Sequence, residues 1–464
     1  MKNINLLLSL CALFLSACTV GPDYVKPDAP NVASYTAEGN EKYTSSISTE
    51  WWKSFQTPAL NKVIEQGIKN NYSLQSMQET LQQAEANVSA TKGQNAPQIN
   101  LNTDAGYEKY GVEATGNTND IPAFHYYSFG PSINWALDIF GGTKRSIEQQ
   151  QALKDYQQQE LHATFLTLTG NIVTTSMRIA ELNAQISTIQ SIIRDDQKNL
   201  DLAQTGLNLG SATEENKLLM QSQLSQDETL LTPLQQKLSA TQGELNILVG
   251  AFPADWQPPQ FQLENFTLPK TLPLTLPSQL VHNRPDILAA EALLHAANAG
   301  VGIATANLYP QINLSANLTQ EALSPGQLFN AASTTASVVG GITAPIFSGG
   351  TLRAQKNAAE HAYKATYANY QDVVVRAFVQ VSNVLHALKY DDENIAAQKK
   401  AMASAEASLK LARLGNQVGS STELEILNTQ RLYAQAKIDY AQAIAQRYRD
   451  AAQLYLVLGG GVVA

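Results

Sequence analysis

Hydrophobic positions along this chain keep two different periods, and the points where one gives way to the other organise the rest. Between residues 280 and 314, apolar and small residues first recur at helical spacing, from Ile287 through Ala306. Pro310 stops that pattern. Beyond it Ile312, Leu314, Ala316 and Leu318 alternate with Asn313, Ser315, Asn317 and Thr319, the period of a strand. The spacing predicts one helix running up to Pro310 and a strand directly after it. The same change occurs near residue 95, where a helical face over 59–95 (Leu60, Val63, Ile64, Ile68, Leu74) meets Pro97. The five residues from Pro97 to Leu101 recur unchanged from Pro310 to Leu314.

Each junction opens the same series. In the first half a strand at 99–107 is followed by a polar loop at 111–122, a second strand near 126–139 and a helix over about 143–205. Along that helix Leu161, Phe165, Leu168, Ile172, Ile179, Leu182, Ile186, Ile189 and Ile193 keep a 3.5-residue repeat, the mark of supercoiling against other helices. At ~1.5 Å per residue it is a rod of roughly 90 Å. A turn at 209–213 leads into a second helix ending near Leu248, which Pro233 is expected to kink or break. After a proline-rich connector, strands near 311–320 and 336–347 precede a helix over 352–414 that lacks both Gly and Pro. A turn at 415–422 and a closing helix complete the second half. The offset between halves is 213 at the shared pentapeptide, 207 at Ile139/Ile346, and 209 at both Gly210/Gly419 and Gly250/Gly459. So nearly constant an offset indicates an internal two-fold repeat. The predicted organisation is a signal (1–17), an N-terminal arm (18–58) whose end Trp51, Trp52 and Phe55 pin, a first repeat (59–250), the connector (251–278), a second repeat (279–459) and a tail (460–464).

The fold class expected is mixed α and β, with four strands per chain. Beyond the signal no run of 18 apolar residues occurs, so a membrane crossing would have to be made by strands of a closed barrel. Four strands are too few, since the smallest membrane barrels need about 8. Two copies would give a barrel of that size, filled by its own side chains; three copies would supply about twelve strands and an open interior. The rods are too polar for lipid and must project into water.

Composition narrows the chemistry. Charged residues are only 15% of the chain and its formal net charge is −9, so there is no basic surplus to neutralise nucleic-acid phosphates. Lys2, the short apolar run 6–15 and the small residues Ser16 and Ala17 form a targeting segment. Leu15-Ser16-Ala17-Cys18 resembles a bacterial lipoprotein signal, in which Cys18 becomes the acylated first residue; a plain secretory signal is the alternative. Thr19, in place of an aspartate, points to the outer membrane. Cys11 leaves with the signal, and the single remaining cysteine forms no disulfide within one chain. The six histidines show no metal-ligand spacing, so neither a metal nor any cofactor beyond the lipid is expected. Gly141-Gly142-Thr143-Lys144 lacks the spacing of a phosphate loop. Arg284-Pro285-Asp286 reads as helix initiation, with proline in the first turn and the aspartate favoured by the helix dipole. No constellation for catalysis emerges, and no enzyme is expected.

Several motifs carry a resemblance. The segment from Cys18 through Gly21, Pro22, Asp23 and Tyr24, the run Trp51-Trp52-Lys53-Ser54-Phe55, Arg284-Pro285-Asp286-Ile287 with Ala290-Glu291, and residues 302–314 are similar to the TolC family of outer-membrane channels, in its lipoprotein subgroup (OprM- and NodT-like). The resemblance spans essentially the whole mature chain. It implies a homotrimer with a twelve-stranded outer-membrane barrel and a periplasmic α-helical tunnel. It also implies docking to a periplasmic membrane-fusion adaptor and an inner-membrane efflux transporter, in the outer membrane of a Gram-negative bacterium.

Candidate sites follow from both sources. The hairpin tips, Leu209-Gly210-Ser211 and Val418-Gly419-Ser420, are where the resemblance places adaptor docking, although glycine is also what a tight turn needs. Asp195 and Asp196 lie about two turns before the first tip, and Asp196 falls on the otherwise apolar stripe. Three copies would make it an acidic ring; a solvated face near a helix end is the equal alternative. Residues 427–431 resemble the family's Leu-Asp-Ala-Gln-Arg segment at the periplasmic aperture, with Asn428 in place of the aspartate and Arg431 retained. The function expected is a passive exit duct of a tripartite multidrug efflux pump, of the RND type. The alternatives are the channel of an ABC-driven secretion system and a non-conducting envelope lipoprotein.

Overall fold

The structure, a computed structural model, describes residues 19–38, 47–110, 122–269 and 272–460. The acylation site Cys18, the signal before it, nearly all of the polar loop 111–122 and most of the 460–464 tail lie outside the described residues. Among the described residues the α-helices and strands are, in order, α1 (Pro58–Asn70), α2 (Tyr72–Gly93), β1 (Gln98–Glu108), β2 (Phe124–Leu137), α3 (Gly142–Asn208), α4 (Glu214–Leu248), α5 (Pro277–Asn283), α6 (Pro285–Ala306), β3 (Gln311–Ala322), β4 (Thr334–Thr343), α7 (Thr351–Gln417) and α8 (Glu423–Val457). The helix lengths agree between the halves: α3 and α7 have 67 residues each, α4 and α8 have 35 each.

The structure refines three helix expectations. The helical stretch 59–95 is two helices, parted at Asn71, whose backbone is extended. Its side chain explains the break: Oδ1 accepts from the Leu74 N–H at 2.9 Å, while Nδ2 donates to the Leu248 carbonyl at 3.0 Å. The stretch from Leu280 to Pro310 likewise holds two helices, the second beginning where Arg284-Pro285-Asp286 reads as a helix start. The two part at Arg284, because a residue before proline is driven out of the α region. Pro233 neither ends nor divides α4. It is exposed, so water can take the carbonyl that its missing N–H leaves free.

The chain forms two compact units. The first holds residues 19–27, Thr80–Gln158 and Ala289–Gln371, including all four strands. These make one antiparallel sheet in the order β1-β2-β3-β4. Below it the residues after position 18 are strapped down. The Val20 N–H donates to the Phe140 carbonyl at 3.1 Å, Thr19 rests against Gly141, and Tyr24 stacks on His295 at 4.2 Å. Arg145, buried to 4%, bridges Asp23 at 2.6 Å and Glu148 at 2.7 Å. Burial pushes the Glu148 carboxyl up, but hydrogen bonds from Arg145 and His295 outweigh that and hold it below its ordinary range.

The second unit holds Asp28–Glu79, Gln159–Leu288 and the chain from Asp372 onward. Its centre is aromatic. Trp51, Trp52 and Phe55 of a short 3-10 turn are buried among Phe165, Tyr448 and Tyr455, so the arm is anchored by the residues the sequence singles out. The proline-rich connector holds one short 3-10 turn, Leu263–Asn265, and packs Phe261 and Phe266 against the same cluster.

Candidate conduit surface and hairpin tips

Strand register decides what the sheet can face. Across β1 and β2, Ile99 pairs with Ile133, Thr103 with Phe129 and Tyr107 with His125. Across β2 and β3, Trp135 pairs with Leu314 and Leu137 with Ile312; across β3 and β4, Ile312 pairs with Ile342 and Ala316 with Val338. Directly paired residues share a face, so the apolar sets of all four strands fall on one side. The other side is mainly polar, with Val339, Phe124 and Tyr126 among its apolar members, and its residues bond across strands: Asn102 to Ser132 at 2.9 Å, Ser128 to Asp104 at 3.1 Å, Ser337 to Asn317 at 2.6 Å. In a soluble sheet the apolar face would cover a core. Here it lies open, with Ile99 70%, Leu101 65%, Val338 85% and Ile342 72% exposed. Such a surface fits lipid or another chain on one side and water on the other. The outer edges of β1 and β4 have no strand beside them among the described residues.

The hairpin tips are built twice to one plan. Gly210 and Gly419 hold φ of +73° and +77°, the left-handed conformation that ends a helix. The Ser211 N–H reaches the Gly206 carbonyl and the Ser420 N–H the Gly415 carbonyl, both at 2.8 Å. Both serine hydroxyls donate to those same carbonyls at 3.2 Å. Thr213 and Thr422 then cap the following helices through Asn216 and Glu425. Leu209 and Val418 are left 78% and 79% exposed beside Gly210 and Gly419, where an added Cβ would meet nothing within 4 Å. The tips therefore offer an apolar knob and an open main chain.

The residues assigned to the aperture fall in different surroundings. Asp195 is partly exposed and pairs with Arg413 of α7 at 3.2 Å, a contact worth little at a surface. Asn428 and Arg431 are exposed on α8. Asp196, in contrast, is only 2% exposed. It sits in the packed interior of α3, α4 and α8, opposite Asp227, which is 3% exposed. Burial first, then the neighbouring Asp227 and Asp195, push the Asp196 carboxyl up to about 7, against the pull of Arg431. Apolar layers lie to either side: Ile189, Ile192, Leu231 and Ala434 on one, Leu200, Ala203, Met220 and Leu427 on the other. Gln430 of α8 occupies the same polar layer by spacing and is 4% exposed. Neither Asp227 nor Gln430 is singled out by the sequence reading. The signal was available, since Leu224, Asp227 and Leu231 keep the 3-4 spacing of a buried stripe.

Comparison with known proteins places this geometry. A model of the family described as "Outer membrane efflux protein" matches residues 63–251 and again residues 276–460. Nodulation protein T of Rhizobium leguminosarum bv. viciae is 25% identical over 471 residues, covering 100% of this chain and 95% of its own length. The pyoverdine export outer membrane protein OpmQ of Pseudomonas aeruginosa is 28% identical, covering 99% of this chain and 97% of its own. The solved outer-membrane channel OprN superposes with a TM-score of 0.89 at 26% identity, over 96% of this chain and 99% of that one. A mostly helical chain with a small two-faced sheet, matched end to end by such proteins, belongs to the outer membrane efflux protein family, the TolC-type channels.

Proposed function

We propose that this protein is the outer-membrane exit duct of a tripartite, RND-type multidrug efflux pump, which passively conducts drugs and other small molecules out of the cell. The observation that carries the reading is the sheet with one exposed apolar face, one polar face and two free edges. Three copies close twelve strands into a barrel with the polar faces inward, which removes every edge. The internal duplication, Cys18 acylation and a periplasmic helical tunnel complete the assembly. The tips at Leu209, Gly210, Ser211, Val418, Gly419 and Ser420 receive the adaptor. Asp195, Asn428 and Arg431 line the periplasmic aperture, whereas Asp196, expected from its place on the helix to join them in an acidic ring, is buried between the arms and does not.

The duplication fixes how copies join. Carrying the β2–β3 register across the repeat offsets sets Trp135 onto Ile342 and Leu314 onto Leu101. Ile342 of one copy therefore lies opposite Leu101 of the next, apolar face to apolar face. Ile342→Cys with Leu101→Cys is expected to give a disulfide-linked trimer on oxidising gels. Pairing Ile342→Cys with Asn100→Cys is expected to give none, since a one-residue slip points the side chains to opposite faces. Cross-linking by the second pair in place of the first overturns this register.

Function is tested by drug accumulation in a deletion strain. The intact copy should restore low accumulation, whereas the double variant Gly210→Asn, Gly419→Asn should not. Asparagine tolerates the left-handed backbone, and a Cβ at either glycine meets nothing within 4 Å, so the hairpins stay folded while the docking surface changes. Arg431→Ser should admit large antibiotics more readily. Full restoration by the double variant would remove the tips from docking. Unchanged accumulation with lost protein secretion would favour an ABC-driven system, and absence of conductance in planar bilayers would favour a structural lipoprotein.

A further inference from the structure

Each helical hairpin carries one aspartate pair that bridges its two arms, and the two pairs share a construction. In the first hairpin Asp196 of α3 meets Asp227 of α4, 14 residues before and 17 after Gly210. In the second, Asp391 of α7 meets Asp450 of α8, 28 residues before and 31 after Gly419. In both, a glutamine one helical turn earlier occupies one oxygen of the second aspartate. Gln223 donates to Asp227 Oδ2 at 2.7 Å, and Gln446 donates to Asp450 Oδ2 at 2.9 Å. In both, an oxygen of the first aspartate (Oδ2 of Asp196 and of Asp391) is shut away from solvent. Two carboxylates cannot hydrogen bond unless one of them carries a proton, and side by side they repel, most strongly at the fully buried first pair and less at the half-buried Asp391 and Asp450. With a glutamine N–H already on Asp227 and on Asp450, the hydrogen is assigned to Asp196 and Asp391.

We propose that the two pairs are proton-binding sites, each holding one shared proton that fastens the arms of its hairpin together, and that loss of the proton loosens the arms at that level. The charged groups facing the first site are Asp195 of α3, itself paired with Arg413 of α7, Asp227 of α4 and Arg431 of α8; the uncharged Gln430 of α8 shares its layer. Facing the second are Asp392 of α7, and Arg447 and Asp450 of α8, with Arg447 bound to Asp392 at 2.8 Å. In both sites a single arginine opposes burial and the neighbouring acids, and the carboxyl is pushed up to about 7. The first site lies on the order of 23 Å along the arms from its tip and the second on the order of 44 Å. The two fasten different levels of the bundle. Because the folded chain holds these protons more tightly than a free aspartate does, their contribution to stability is fully present below the ordinary aspartate range. It is lost as the pH rises through about 7.

Infrared titration of the full-length protein in detergent, from pH 5 to 9, reads the protons directly through the protonated-carboxyl stretch. The native protein should lose such a band with a midpoint near pH 7, together with a fall in thermal midpoint over the same interval. Asp227→Asn keeps the acceptor for Gln223 and offers an amide to Asp196, so it should remove about half of the titrating band. Asp450→Asn should remove the other half, and the double variant should melt at a temperature independent of pH across that interval. Asp196→Asn and Asp391→Asn, which replace the proton donor by an amide, should match them and serve where the first variants fold poorly. A native protein with no protonated carboxyl at pH 6 overturns the proposal, as does a band of unchanged size in the double variant. These readouts do not depend on conduction, so failure here leaves the duct assignment standing.

Discussion

Replacing Trp51 by alanine is expected to lower the stability of the second unit by about 4 kcal/mol, the scale for removing a large aromatic side chain from a packed core. Trp51 is 1% exposed and lies flat on Tyr455 of α8, ring centres 5.2 Å apart, with Trp52 and Phe55 edge-on at 6.1 and 6.4 Å. The connector depends on the same turn, because the Thr267 N–H donates to the Phe55 carbonyl and Thr57 donates to that of Asn265. Chemical denaturation of the purified protein should show the loss as a lowered midpoint. Trp51→Phe discriminates between causes. The indole N–H is buried without an acceptor, so phenylalanine forfeits volume but no hydrogen bond and should cost far less. Equal losses for the two variants would show that the stacked ring area is not what anchors the arm.

Arg284→Ala is expected to cost about 3 kcal/mol and to free the end of α8. The guanidinium is buried and makes four hydrogen bonds. It grips both oxygens of Asp286 at 2.9 and 2.6 Å, donates to the Val457 carbonyl at 2.8 Å and reaches Gln380 of α7 at 2.8 Å. The Asp286 pair itself is discounted, since that carboxylate is 46% exposed; most of the cost is the stranded carbonyl and amide. Arg284→Lys should recover little, because an ammonium cannot span three acceptors from a planar fork. The check is limited proteolysis together with the denaturation midpoint: the region after Tyr455 should become cleavable in both variants. An unaltered digestion pattern would refute the clamp.

Arg284 also marks how far sequence reading reaches. Its place at a helix start was legible, because proline dictates the backbone locally. Its reach to Val457 was not, because that bond joins residues 173 positions apart. Asn71 shows the same division: its cap on the Leu74 N–H is local and open to sequence reading, whereas its bond to the Leu248 carbonyl joins residues 177 positions apart and is not. The sheet was legible to within a few residues, since a period of two states both strand and face at once. The reversals at Gly210 and Gly419 were readable from glycine and the 209-residue offset, whereas the surroundings of Asp196 were not. A carboxylate on an apolar stripe has one meaning if its partner is water and another if it is Asp227, and the stripe alone does not name the partner. The Cys18 assignment lies outside the described residues, although Thr19 beside it is held at the foot of β2.

The equal arm lengths bear on how such a chain is free to evolve. One residue inserted in α7 would turn everything beyond it by about 100° and carry Leu409 and Ala412 out of their packing, with nothing in α8 to compensate. Deletions are barred for the same reason. Length can change only by whole heptads made on both arms of a hairpin, and in both hairpins if their tips are to stay level, a combination of rare events. Substitution meets no such barrier wherever the apolar stripe is kept. Drift in letters with almost none in arm length is the outcome expected of such a chain.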